Sequence, residues 1–167
     1  MNHDAILQIL EKEMVPALGC TDPAGIAYAA ALARKYANGD IRKISSFLSA
    51  NIIKNAAAVC IPRTDGRCGV ALAIALGAFG GDPDKGLEVF SDITEGQIQA
   101  AESFVAAGRL QLQVSDLDKK LYIRLEVETD EDLVEVIIED SYTNIVSLKV
   151  NGDIRISLEK TNLEKEE

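Results

Sequence analysis

Apolar residues in the first part of the chain recur at the three- and four-residue spacing of a helix. Over residues 4–14 this pattern predicts an amphipathic helix that ends before Pro16, since proline cannot continue a helix interior. A second helix is predicted to start at Asp22-Pro23, because aspartate is a good capping residue and proline fits the first helical turn. Its end is expected at Asn38-Gly39.

Four more segments before residue 110 have distinct patterns. Residues 41–49 read as a strand, and residues 51–60 are ambiguous between helix and extended chain, with a short helix favoured. Residues 69–79 are apolar on all sides, which is the pattern of a buried helix. A further helix is predicted over residues 94–107, closed by Gly108.

From residue 110 onward the apolar residues recur with a period of two. The runs 121–128, 133–140 and 145–150 alternate apolar and polar residues, as half-buried strands do. Asn151-Gly152 suits a two-residue type I′ turn, so residues 145–150 and 154–158 are predicted to form a hairpin. The expected fold class is therefore α+β, with a partly antiparallel sheet.

Composition favours one domain with its own core, since the chain has 167 residues of which 47% are hydrophobic. We expect a single α+β domain over residues 1–158 and a disordered charged tail over 159–167. The start of the chain lacks the pattern of a secretory signal, and its longest apolar stretch is about half the ~20 residues that cross a bilayer. A cytoplasmic protein without a membrane partner is expected.

Net charge argues against nucleic acid as a partner. The formal charge is -10, from 27 acidic and 17 basic residues, and no basic cluster interrupts it. A chain of this kind repels a phosphate backbone.

Three cysteines are spaced too irregularly for a disulfide framework or for paired zinc sites. Cys60 and Cys68 adjoin apolar residues and are expected to fill the core. Cys20 precedes the predicted start of the second helix, where unpaired N–H groups and the helix dipole favour a thiolate or a bound anion. The alternative for Cys20 is a small buried side chain.

Polar residues elsewhere give weaker signals. Asn51, Lys54 and Asn55 share one helical face only in part, and a capping or surface role is the alternative. The turn-rich loop 62–69 carries two arginines that could present guanidinium groups to a carboxylate. Residues 142–144 lie between two predicted strands, where an ordinary turn is the default.

Four motifs together resemble the bacterial and archaeal L-cysteine desulfidase family, which is related to iron–sulfur L-serine dehydratases. The resemblance covers roughly residues 14–150. The motifs are Pro16-Ala17-Leu18-Gly19-Cys20-Thr21-Asp22-Pro23, Asn51-Ile52-Ile53-Lys54-Asn55, Gly80-Gly81-Asp82-Pro83 continuing to Gly86-Leu87-Glu88-Val89, and Thr143-Asn144-Ile145-Val146.

The resemblance implies a lyase that breaks a carbon–sulfur or carbon–oxygen bond, converting L-cysteine or L-serine to pyruvate, ammonia and sulfide or water. It implies helices packed on one face of the sheet, similar to the serine dehydratase beta domain, and a 4Fe-4S cluster that binds the substrate. Cys20 would be the catalytic thiol or a cluster ligand. The substrate-binding residues would be Thr21, Asn51, Lys54, Asn55, Thr64 and Asn144.

Two segments depart from the family pattern. Pro62-Arg63-Thr64-Asp65 stands where the family has Pro-Gly-Thr-Gly, and Tyr142 stands where it has histidine. A cluster also needs three or four thiolates, so the resemblance implies a cluster only with a separate helical, cluster-bearing subunit or a missing domain. The alternatives are a non-catalytic module that binds a small anion or an amino acid, and a truncated vestigial family member. A homodimer is a further candidate assembly.

Overall fold

Five α-helices and six strands make up the part of the chain that the structure, a computed structural model, describes: residues 3–13, 17 and 19–157. The helices are α1 (His3–Glu13), α2 (Thr21–Tyr36), α3 (Ala50–Ala56), α4 (Val70–Gly80) and α5 (Glu95–Ala106), with a short 3-10 segment at Pro83–Glu88. The strands are β1 (Ile41–Leu48), β2 (Leu110–Val114), β3 (Tyr122–Thr129), β4 (Leu133–Glu139), β5 (Ile145–Val150) and β6 (Asp153–Ser157).

The strands form one mixed sheet in the order β2-β1-β3-β4-β5-β6. β1 and β2 run parallel, and the other neighbours are antiparallel. The parallel pair is joined through α3, α4 and α5, because parallel strands need a long crossover connection. The α+β class and the partly antiparallel sheet are therefore confirmed.

The helices pack on one face of this sheet. Alternate residues of the central strands, such as Ile44, Leu125 and Val136, are fully buried in the core with α2 and α4. The opposite face carries ion pairs in place of helices, among them Arg124 Nε with Glu135 Oε2 at 2.9 Å. Period-two alternation in the sequence thus corresponds to one apolar and one polar face.

Small residues let α2 and α4 approach closely. A Cβ atom on Gly77 of α4 would overlap the backbone of Ala27 in α2. Most of α4 is buried, as its uniformly apolar sequence predicts. α2 and α4 together form the helix layer, and the start of α2 lies near one end of the sheet.

The N-cap of α2 lies two residues before the predicted one. Cys20 is the N-cap residue, in an extended conformation and without a side-chain capping bond, while Asp22 lies in the first turn. The Asp22 carboxylate accepts a hydrogen bond from the Tyr142 hydroxyl. The carboxylate that was expected to cap the helix is therefore bonded to a residue distant in sequence.

The amphipathic helix predicted near the start of the chain is α1, but its apolar residues are exposed. Ile6, Leu7, Ile9 and Leu10 retain between 38% and 61% of their accessible surface. The predicted stop at Pro16 and the predicted tail 159–167 lie outside the described residues. Within the described ranges, each helix is too short or too polar to cross a membrane.

Candidate functional site

Parts of three of the four sequence motifs and the loop 61–67 lie at one end of the sheet, which we call the motif end and define as residues 19–22, 49–55, 61–67 and 140–144. The remaining motif, residues 80–89, lies beside the last turn of α2, where Asp84 pairs with Lys35. β1 and β4 finish at this end, whereas β3 and β5 begin there. α3 follows β1 directly, and the turn between β4 and β5 reaches the first turn of α2. Segments more than a hundred residues apart in sequence therefore share one region.

Tyr142 connects the turn 140–144 to α2. Its hydroxyl donates a hydrogen bond to Asp22, and its ring lies where a Cβ atom on Gly25 would be. Burial is the main cause that raises the pKa of Tyr142, followed by the hydrogen bond to Asp22, with smaller effects of the Asp22 and Cys20 charges. Tyr142 is therefore a protonated donor over the physiological pH range.

The helix start beside Tyr142 presents both a thiol and backbone donors. Cys20 is half-buried and Thr21 is exposed. Because the Cys20 side chain makes no capping hydrogen bond, it does not supply the partner that a capping residue gives to a first-turn N–H group of α2. Gly19 has φ 79° and packs closely against Pro62 of the loop 61–67. A Cβ atom at Gly19 would lie 2.8 Å from Pro62 Cγ.

The loop 61–67 is held by its own polar groups. Thr64 is buried and its hydroxyl donates to the Ile61 carbonyl at 2.7 Å. Arg67 donates to Glu102 of α5 at 2.6 Å and to the Thr64 carbonyl at 2.9 Å. A substrate contact of Thr64 stays a prediction, and the position of Thr64 in the structure favours a role in shaping the loop. Arg67 is likewise engaged within the protein.

Backbone conformation explains why glycine suits two positions of this loop. Arg63 has φ 64° and Asp65 has φ 54°, a left-handed region that glycine adopts without steric cost. These are the two positions at which the desulfidase pattern has glycine and this chain does not. The loop conformation is therefore compatible with both sequences, at some cost for arginine and aspartate.

The other predicted substrate residues divide into two groups. Asn51, Lys54 and Asn55 are exposed on α3, while Ile52 and Ala56 of the same helix are buried. Asn144 instead donates from Nδ2 to the Glu139 carbonyl at 2.8 Å, so it closes the turn that carries Tyr142. The structure brings all of these residues to the motif end, and their contact with a substrate stays a prediction.

The expectation that Cys60 and Cys68 fill the core is wrong. Both are exposed, and they lie opposite one another as an antiparallel bridge at the base of the loop. Side chains alternate along an extended segment, and Ile61, only 2% exposed, takes the inward position next to Cys60. The apolar sequence neighbours of the two cysteines therefore wrongly indicated that their side chains are buried.

An iron–sulfur cluster does not fit the described residues as its ligand set. Such a cluster needs three or four thiolates, and Cys20, Cys60 and Cys68 do not gather into one ligand group. Among the described residues no group of three or more His, Cys, Asp or Glu side chains gathers to hold a metal ion. The ligands of a cluster would have to come from elsewhere.

A second concave region lies on the open face of the sheet. A shallow pocket of about 460 Å³ is lined by Phe47, Tyr122, Arg124 and residues 113–117. The Arg124 guanidinium stacks over the Phe47 ring at 5.0 Å and is paired with Glu135. This pocket was missed from the sequence, and Tyr142 was noted only as a departure from the family pattern, because contacts between distant segments do not depend on local spacing. The signal for Tyr142 was its place directly before the motif at residues 143–146.

The fold is an α+β sheet with one layer of helices, and the chain is similar to several proteins named UPF0597. No protein-family profile matches the chain. It is 39% identical over 161 residues to a UPF0597 protein of Klebsiella pneumoniae, covering 96% of this chain and 38% of the relative.

Two further relatives have the same name and similar coverage. A UPF0597 protein of Fusobacterium nucleatum is 41% identical over 154 residues, covering 92% of this chain and 36% of the relative. One of Treponema denticola is 41% identical over 152 residues, covering 91% and 35%. The chain thus spans little more than a third of the length of these relatives.

Proposed function

We propose that this chain is the substrate-side part of an L-cysteine desulfidase-like or L-serine dehydratase-like lyase, which releases pyruvate, ammonia and sulfide or water. The observation that carries the proposal is the convergence at the motif end of Cys20, the Asp22–Tyr142 hydrogen bond and the exposed polar residues of α3. Cys20 and Asp22 belong to the first motif of the resemblance, the α3 residues belong to the second, and Tyr142 directly precedes the fourth.

The chemistry of this region suits an amino acid. The first-turn N–H groups of α2 and the positive end of its dipole favour a carboxylate. Asp22 offers a negative charge to the α-ammonium group, while Tyr142 supplies a fixed hydroxyl beside it. Asn51, Lys54 and Asn55 add amides and a cation at the end of β1. Cys20, half-buried at the helix start, is the residue proposed to act on the substrate.

The proposal requires a second polypeptide or domain to supply the cluster. One thiol at the start of α2 is insufficient, and the relatives are nearly three times as long as the segment they share with this chain. The exposed apolar residues of α1 support an association, because a contiguous apolar surface commonly marks a protein contact. Alone, the chain is proposed to bind substrate without turning it over.

Ligand binding by the chain alone tests the proposed site. L-Cysteine and L-serine are titrated under reducing conditions and followed by backbone amide NMR shifts, with D-serine as a stereochemical control. Expected shifts cluster at residues 19–24, 51–55 and 141–144. Cys20→Ala and Lys54→Ala should weaken binding, whereas Lys120→Ala, an exposed residue of the β2–β3 connection, should leave it unchanged. Shifts confined to the Phe47–Arg124 pocket would contradict the proposal.

Turnover tests the proposed reaction. The chain is combined under anaerobic conditions with a polypeptide that corresponds to the remaining length of the relatives, and the mixture is reconstituted with iron and sulfide. Pyruvate release from L-cysteine or L-serine is expected only from the combination, and it should be lost in Cys20→Ala. Absence of turnover in a combination that carries an intact cluster would contradict a lyase.

A second candidate is a non-catalytic module that binds an amino acid or small anion at the same place. Tyr142 favours it, because a protonated tyrosine hydrogen-bonded to Asp22 stands where the desulfidase pattern has a histidine. Binding with the expected NMR pattern but no pyruvate in any combination would select this candidate. Absence of both binding and turnover would leave a vestigial family member.

A further inference from the structure

Cys60 and Cys68 occupy a cross-strand position whose geometry suits a disulfide. They pair as an antiparallel bridge, and the Ile61 amide donates to the Arg67 carbonyl at 2.8 Å. A hydrogen bond between the residues just inside the bridge marks a pair of the non-hydrogen-bonded kind, in which the Cα atoms are about 4.5 Å apart. Disulfides are made at Cα separations that include this distance.

The loop between the two cysteines holds them in place. Ile61 and Thr64 are buried, and the Thr64 hydroxyl donates to the Ile61 carbonyl. Arg67, next to Cys68, is anchored to Glu102 of α5 and also contacts Glu95. Both ends of the loop are therefore fixed to the body of the protein, and the two cysteines lie opposite each other in the antiparallel bridge.

Both thiols are free and exposed in the structure. Neither therefore needs an opening of the core to meet a solution oxidant, in contrast to a buried cysteine. The nearby Pro62 ring touches Gly19, which precedes Cys20. The pair thus lies at the base of the same loop that packs against the motif end.

We propose that Cys60 and Cys68 form a reversible intramolecular disulfide that closes the loop 61–67. The oxidant is a low-molecular-weight disulfide such as oxidised glutathione. One cysteine thiolate attacks a sulfur of that disulfide and releases a small thiol as thiolate. The second cysteine thiolate then attacks the mixed disulfide at the protein sulfur and releases the other small thiol. The two protein thiols are oxidised, and one small disulfide is reduced to two thiols.

Closure adds a covalent restraint to a short loop. Cross-linking lowers the entropy of the unfolded chain, and for a ring of this length the oxidised protein is expected to melt about 5 to 10 °C above the reduced protein. Because Pro62 contacts Gly19, the restraint applies to the segment beside Cys20. This inference concerns the loop itself and does not depend on the proposed lyase activity.

The experiment exploits two arginines between the cysteines. The chain is equilibrated in buffers of increasing oxidised-to-reduced glutathione ratio, free thiols are blocked by alkylation, and the protein is digested with trypsin without reduction. Cleavage after Arg63 and Arg67 separates the cysteines. The expected product is one species in which peptides 55–63 and 68–85 are joined, and which reductant resolves into both.

Variants show which thiols react. Cys20→Ser should keep the linked peptides, whereas Cys60→Ser and Cys68→Ser should each abolish them and the rise in Tm. Circular dichroism of the reduced variants checks that each is folded. Three results would overturn the proposal: both thiols staying open to alkylation at every ratio, a stable glutathione adduct on either cysteine, or a cross-link to Cys20 or to a second molecule.

Discussion

The two ends of the sheet use polar residues in different ways. At the end opposite the motif end, which we call the turn end and define as residues 37–40, 130–132 and 151–152, the turns bond to one another. Asp132 accepts hydrogen bonds from Asn38 through its backbone and side-chain nitrogens and from Asn151 Nδ2, at 2.8 to 2.9 Å. Asp130 accepts from the Asp40 amide at 2.7 Å.

At the motif end the bonding is less complete. Tyr142 bonds to Asp22 and Asn144 closes its own turn, but Thr21 and the polar residues of α3 remain exposed. Polar groups that bond to each other stabilise the fold, whereas groups turned toward solvent are available for a ligand. The comparison therefore indicates a structural role for the turn end and supports the proposal that a ligand binds at the motif end.

The largest expected effect comes from filling the space of Gly25 at the motif end. Gly25→Ala places a Cβ atom where it overlaps the Tyr142 ring, so the Tyr142 side chain can no longer pack against α2. We expect a loss of about 3 kcal/mol in the free energy of unfolding, measured by urea denaturation. The double variant Gly25→Ala/Tyr142→Ser should be more stable than Gly25→Ala alone. Additive losses would show that the two residues do not touch.

A smaller loss is expected when the tyrosine ring stays and its hydroxyl is removed. Tyr142→Phe keeps the packing on Gly25 and deletes the bond to Asp22. Hydrogen bonds to charged groups are the stronger kind, and we expect a loss of about 1.5 kcal/mol in the free energy of unfolding. Tyr36→Phe, at an exposed tyrosine of the same helix, is the matched control. Equal changes in both variants would contradict a bond between Tyr142 and Asp22.

The corresponding change at the turn end is Asn151→Ala. Asn151 has φ 53°, and its Oδ1 atom accepts from the Leu133 amide at 2.9 Å. Alanine tolerates this conformation less well and cannot accept the bond, so we expect a loss of about 1 kcal/mol in the free energy of unfolding. The NMR shifts of residues 141–144 should be unaffected. Shifts there would show that the two ends are coupled.

A gain is expected from restoring glycine in the loop 61–67. Arg63 is exposed at φ 64°, and Arg63→Gly relieves the steric cost of that conformation. Glycine also has more freedom in the unfolded chain, so the net gain should be only about 0.5 kcal/mol by urea denaturation. Arg42→Gly, at an exposed strand residue, should destabilise instead. A loss in Arg63→Gly would mean that its side chain stabilises the loop.

The smallest expected effect is a change in thermal stability at acid pH. The backbone hydrogen bond from Asn38 is the main cause that lowers the pKa of Asp132, followed by bonds from the Asn151 and Asn38 side chains. A lowered pKa stabilises the fold above the pKa of the unfolded state, and that stability is lost as pH falls below about 4. Asp132→Asn should therefore show a smaller fall in Tm from neutral to acid pH than the unchanged protein, and Asp118→Asn should not.

Most elements of the fold were predictable, because their signals are local. The alternation over 121–128 and the uniformly apolar run 69–79 correspond to β3 and α4. Asn151-Gly152 forms its turn with both φ angles positive, at 53° and 86°, as its residue types predict. The N-cap of α2 lies two residues before the predicted one, at Cys20, and Asp22 bonds to Tyr142 instead of capping the helix.

The candidate site was less predictable, because its parts are distant in sequence. The resemblance singled out Cys20, Thr64 and Asn144 by motif position, but only the structure shows Thr64 buried and Asn144 bonded within its own turn. Cys60 and Cys68 were wrongly predicted to be buried. Their apolar neighbours indicate burial, while the facing direction of an extended residue depends on which neighbour points inward.

The sequence by itself determined the period of each segment, the turn residues and hence the α+β class, since these depend on backbone preferences within a few residues. The tertiary structure decided which polar groups meet. It placed Tyr142 on Asp22 and Gly25, and it brought Cys60 opposite Cys68. Such contacts arise from the packing of α2 on the sheet and from the path of the loop 61–67, which no local pattern specifies.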